Sequence, residues 1–154
     1  MKRTAASLAV LAALVLGAAF AQVESAEVLG IADTRPSSTG SSALYQDDSV
    51  GEVLVRVRAL DAGGNPVPGA SVSWVLTNRT AATAYVVGSS AAGAYPVILF
   101  GGSDTTVDGG VTDENGEAYL VVDARSAGDV SMVITVGGVE AKSYDGSDMR
   151  VVWF

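Results

Sequence analysis

Apolar and polar residues alternate along most of this chain with a period of two, the spacing that puts every second side chain on one face of a β-strand. The clearest run is Gly51 to Leu60, GEVLVRVRAL, where Val53, Val55, Val57 and Ala59 share one face and Arg56 and Arg58 mark the other. A second run starts at Ala70 and sets Val72, Trp74 and Leu76 against Ser71, Ser73 and Thr77. A third sets Ala118, Leu120 and Val122 against Tyr119, Val121 and Asp123, and a fourth, Asp129 to Val136, offers Val130, Met132, Ile134 and Val136. The chain closes on Met149 to Phe154, MRVVWF, an apolar end that is expected to dock as a strand, because undocked ends are normally polar. The predicted class is all-β, with Val55, Val57, Trp74, Leu120, Ile134 and Trp153 in the core.

The runs are separated by turn chemistry. In DAGGNPVPGA, Asp61 to Ala70, Gly63, Gly64 and Asn65 tolerate positive φ, while Pro66 and Pro68 fix φ and cannot donate to a ladder. Asn115-Gly116 favours a tight reversal, Ser126-Ala127-Gly128 a turn, and Gly137-Gly138 a further reversal that lets Val139 to Ser143 run back antiparallel. Between the two main corners, Thr83 to Val87 and Ala94 to Phe100 are strand-like and separated by GSSAAG, predicting an inserted hairpin near 80–102. That hairpin holds Tyr85, Tyr95 and Phe100, a candidate binding surface for sugar rings or a partner protein; the other reading is that it covers an open sheet edge.

The ordered blocks (an alternating strand, then D-A-G-G-N-P-V-P-G-A-S-V, T-D-E-N-G-E-A, S-A-G-D-V and a strand ending in a glycine pair) resemble the bacterial immunoglobulin-like domain of the invasin and intimin type, over roughly Val50 to Gly138. The resemblance implies an immunoglobulin-like antiparallel β-sandwich of about seven to nine strands. It also implies a structural or adhesive module of the cell surface, without catalytic residues.

The N-terminus has the form of an export signal. Lys2 and Arg3 precede an apolar run from Leu8 to Phe20, and Ala19-Phe20-Ala21 fits a small-x-small cleavage pattern. The expected organisation is a helical signal peptide over 1–21, an edge strand and polar tether over 22–49, and the sandwich over 50–154. The run is short for a stable membrane span.

Composition narrows the chemistry. The 154 residues include no cysteine and no histidine, which removes disulfides, thiolate metal sites and histidine-based acid–base catalysis. Net charge is −8, and −10 once Lys2 and Arg3 are removed, a poor match for nucleic acid or anionic membrane. No cofactor is expected; Asp104, Asp108 and Asp113, in the densest run of acids, are candidate calcium ligands, the other reading being ordinary solvated turn tips. The outward Arg56 and Arg58 are expected to pair with Asp123 or Glu140, and Asn78-Arg79-Thr80 is formally a glycosylation acceptor. The expectation is a non-enzymatic, exported module (periplasmic, cell-surface or extracellular) with a protein or glycan partner. Two alternatives stand beside it: a carbohydrate-binding accessory module, and an oligomer built by exchange of the C-terminal strand.

Overall fold

A computed structural model describes residues 21–32, 35–36, 43–46, 51–142 and 149–153. Of the signal segment expected over 1–21, all but Ala21 lies outside these residues. The described residues form twelve strands and no helix, arranged as two sheets packed face to face.

One sheet has five strands. They are β1 (Ser25–Ala32), β4 (Gly51–Leu60), β6 (Ala84–Ser89), β7 (Val97–Leu99) and β9 (Glu117–Ala124), in the order β1-β4-β9-β6-β7. The other has seven: β2 (Arg35–Pro36), β3 (Ala43–Gln46), β5 (Ser71–Asn78), β8 (Asp104–Val111), β10 (Gly128–Val136), β11 (Val139–Ala141) and β12 (Met149–Trp153). Their order is β2-β3-β12-β10-β5-β8, with β11 on the same flank of β10 as β12, beyond the end of β12. Twelve strands exceed the expected seven to nine because the segment before Val50 supplies three and the inserted hairpin adds β7. The pairing is also not wholly antiparallel, since β12 runs parallel to β3.

The alternation places the core as the sequence reading expects. Val53, Val55, Val57 and Ala59 of β4 are fully buried, as are Trp74, Leu76, Leu120, Val122 and Ile134; Trp153 is 1% exposed. Period-two strands stacked in two layers turn one set of side chains inward from each layer, which removes nearly all of this apolar area from water. Trp153 also donates its indole N–H to the Gly51 carbonyl at 3.2 Å, so β12 is held by a polar contact as well as by packing.

The two turn-rich corners dock on each other. Thr112, 3% exposed, donates its hydroxyl to the Val67 carbonyl at 2.7 Å and accepts from the Ala70 amide at 2.9 Å. Backbone bonds add to this staple: the Gly69 amide donates to the Thr112 carbonyl, and the Thr112 amide to that of Ala70, both at 2.9 Å. Gly116 has φ of 71°, and a Cβ there would stand 2.8 Å from the Ala59 carbonyl oxygen and 2.9 Å from the Val67 nitrogen. Only glycine meets both demands at that position.

The layers are joined along their sides. Glu27 makes a parallel bridge to Lys142, and Asn78 one to Gly101. The remaining edges offer little to a foreign strand. Strand β2 has two residues, one of them Pro36, and β7 has three and follows Pro96. The longer edge strand β8 carries the exposed Asp104 and Asp108 and shifts register opposite Ser71 to Ser73. Short length, proline, charge and bulges are how natural sheets discourage edge pairing.

Candidate functional site

The outward face of the five-stranded sheet carries a connected group of arginines and acids. Register pairs Arg58 with Glu117 and Arg56 with Tyr119 across β4 and β9, and Arg58 with Glu27 across β4 and β1. Arg58 Nη2 donates to Glu117 Oε1 at 2.8 Å, with Glu27 Oε1 at 3.9 Å from Nη1, and Arg56 Nη1 lies 3.7 Å from Glu117 Oε2. The hydrogen bond to Glu117 is the main reason the Arg58 guanidinium is held above its ordinary pKa. The arginines therefore do not take the expected partners. Asp123 lies beside Arg125, with Arg125 Nε 4.0 Å from Asp123 Oδ2, and Glu140 pairs with Lys142, because register places these acids elsewhere.

Beside these pairs lies an open groove of about 270 Å³ lined by Arg56, Ser90, Val111, Asp113, Glu117 and Tyr119. Tyr119 projects outward because its neighbours Ala118 and Leu120 project inward, and the residue is 42% exposed. Val111, the last residue of β8, is 57% exposed at the point where the chain crosses from one sheet to the other. Ser90 fixes the groove floor: its hydroxyl accepts from the Tyr119 amide at 2.7 Å and its own amide donates to the Tyr119 carbonyl at 3.0 Å. Asp113 Oδ1 accepts from the Asn115 and Glu117 amides, each at 2.9 Å, which holds the Asn115-Gly116 corner in place.

The structure sets Tyr95 apart from the other two aromatic residues of the hairpin. Tyr85 is on the outward face opposite Ile98, with the Arg125 guanidinium 5.5 Å from its ring centroid, a cation–π spacing. Phe100, 65% exposed, follows β7 at the sheet edge. Tyr95 instead packs against the core, and its hydroxyl meets Ser89 Oγ at 2.6 Å and the Ala91 carbonyl at 3.3 Å. It is spent on shaping the hairpin, so the three rings form no common platform. The hairpin extends the sheet, since β6 pairs with β9 on one side and β7 on the other.

The acidic run is likewise divided. Asp104 accepts from the Thr77 hydroxyl at 2.6 Å, Asp108 Oδ1 from the Gly110 amide at 2.8 Å, and Asp113 holds its own turn. Among the described residues no group of three or more acidic side chains is placed to hold a metal ion. Asn78 is 1% exposed, with both donors and its carbonyl engaged by Ala82, Leu99 and Thr80, so its amide nitrogen is not presented as a glycosylation acceptor.

Tyr119, Ser90, Val111, Thr112 and the structural use of Asn78 were missed by sequence reasoning. The alternation set Tyr119 on the face away from Ala118, Leu120 and Val122, but nothing local joined it to Arg56, Val111 or Ser90. No known family model and no curated protein sequence matches the chain, so the likeness to invasin-type domains rests on its ordered sequence blocks alone.

Proposed function

We propose that this chain is an exported, non-enzymatic module of immunoglobulin-like type that acts at the cell envelope or surface through its faces, as an adhesive or scaffolding unit. The observation that carries the reading is how the polar side chains are used. Asn78, Thr112, Ser89 and one carboxylate oxygen of Asp113 are committed to backbone groups at corners and loops, and Arg58 to Glu117. Polar groups spent in this way make a stiff body that presents a fixed surface. The export signal of Lys2 to Ala21 and the acidic surface fit the same role. Among the described residues no helix is long and apolar enough to cross a membrane.

The pairing of the C-terminal strand favours a self-contained unit over strand exchange. Strand β12 is paired on one flank by β10 and on the other by β3, so it has no open ladder to offer a second copy. Light scattering on the chain from Gln22 to Phe154 over a concentration series is expected to give the monomer mass throughout. A defined oligomer or fibre that disappears on deletion of Met149 to Phe154 would overturn this reading in favour of assembly.

A further inference from the structure

We propose that the groove between Tyr119, Val111 and Arg56 is a subsite for one neutral pyranose ring, the terminal sugar of a glycan. The inference rests on the binding-module reading and gives it a ligand class. A pyranose has an apolar face of C–H groups and a rim of hydroxyls that both donate and accept. The groove supplies the complement of each. The half-exposed Tyr119 ring and the exposed Val111 methyls form an apolar floor, and singly exposed apolar side chains are ordinary whereas two that share a groove with polar groups have the make-up of a ligand site. Arg56, with half of its side chain exposed and Glu117 only at 3.7 Å, retains N–H donors for hydroxyl oxygens. The Asp113 and Glu117 carboxylates supply acceptors on the same rim.

Charge selects against other ligands. One guanidinium stands with two carboxylates on a chain of net charge −8, so a polyanion is repelled. A peptide strand finds no ladder on β4 or β9, which each have neighbours on both sides. The volume of about 270 Å³ is at the small end of ligand pockets, enough for one ring and not for a long ligand. The groove is also partly set before binding, since two bonds to Ser90 hold the Tyr119 backbone and the turn amides hold the Asp113 side chain, which lowers the entropy lost when a sugar docks.

The test is a titration of the ¹⁵N-labelled chain, Gln22 to Phe154, with methyl glucoside, methyl galactoside and the trisaccharides of glucose and N-acetylglucosamine, followed through backbone amide shifts. At least one probe is expected to bind at millimolar concentration and move the amides of Ser90, Val111 and Tyr119. Tyr119→Ala is expected to weaken that binding by about tenfold or more, and Tyr119→Phe to keep most of it. Tyr85→Ala, on the same sheet face away from the groove, is expected to leave it unchanged. No shift from any probe, shifts that survive Tyr119→Ala, or shifts produced only by a lysine tripeptide each overturn the proposal. A monomer that binds none of the sugars defeats the subsite alone, whereas an oligomer dissolved by loss of the C-terminal strand defeats the module reading itself.

Discussion

Asn78 offers the sharpest test of how this sandwich is held. It ends β5 with 1% of its surface exposed, donating to the Ala82 carbonyl at 2.7 Å and the Leu99 carbonyl at 2.9 Å, while its own oxygen accepts from the Thr80 amide and hydroxyl at 3.1 Å. One side chain thus joins β5, the 79–82 turn and the end of β7, elements drawn from both layers. Asn78→Ala removes both donors. The Leu99 carbonyl belongs to a residue 1% exposed, so water does not replace the lost partner, and an orphaned buried carbonyl costs about 1–3 kcal/mol. The Ala82 carbonyl and the Thr80 amide are nearer solvent and add about 1 kcal/mol between them. The expected loss is about 3 kcal/mol, roughly 10 °C in melting temperature for a domain of this size. Asn78→Asp keeps the shape but points carboxylate oxygen at two carbonyl oxygens. It should be at least as damaging at neutral pH and recover in part on acidification, because protonation restores one donor. Thr80→Ala removes one bond at the half-buried rim and should cost about 1 kcal/mol or less. Urea unfolding read from the buried Trp74 and Trp153 measures all three. Stability of Asn78→Ala within about 0.5 kcal/mol of the parent would refute the reasoning, since surface substitutions fall in that band and this one is not on the surface.

Two further outcomes follow from the corners. Thr112→Val keeps the volume but deprives the buried Val67 carbonyl of its hydroxyl donor, so a loss of about 1–3 kcal/mol is expected in the same unfolding assay, and an unchanged midpoint would show that the staple adds nothing. The Asp61 carboxyl is held below its usual pKa, first by the Asn65 backbone N–H, then by the Asn65 side chain and the Gly63 and Gly64 amides. A lowered folded-state pKa adds stability above the unfolded-state value that is lost as pH falls through the folded one, so Asp61→Asn should flatten the acid limb of the stability profile. An identical acid limb in both proteins would exclude Asp61 from that window.

Local pattern carried a large part of this protein. The inward residues of β4, β5, β9 and β10 could be named from alternation, because in a strand the face of a side chain follows from its parity alone once the register of burial is known. Glycine, proline and asparagine marked both corners, since their φ preferences act at the level of a few residues. Partner choice was another matter. Arg58 bonds to Glu117, 59 residues away, and the Asp123 and Glu140 expected for it were equally acidic and equally available to the eye. Pairing across strands depends on register and sheet order, which are decided by the packing of the whole sandwich.

The same distinction governs the site. Tyr85, Tyr95 and Phe100 are near in sequence and aromatic, yet the sheet sends Tyr85 outward and turns the Tyr95 hydroxyl onto Ser89. Asp104, Asp108 and Asp113 are also near in sequence, and each turns to a different local donor. Conversely, the groove joins Arg56, Ser90, Val111 and Tyr119 from four separate segments. By itself the sequence determined an all-β chain, its inward residues and its turn positions, because parity and φ preference are local. Only the tertiary structure decided which strands are neighbours, which polar groups are consumed in holding the corners and which remain at the surface, because those outcomes depend on distances between residues that the chain brings together only by folding.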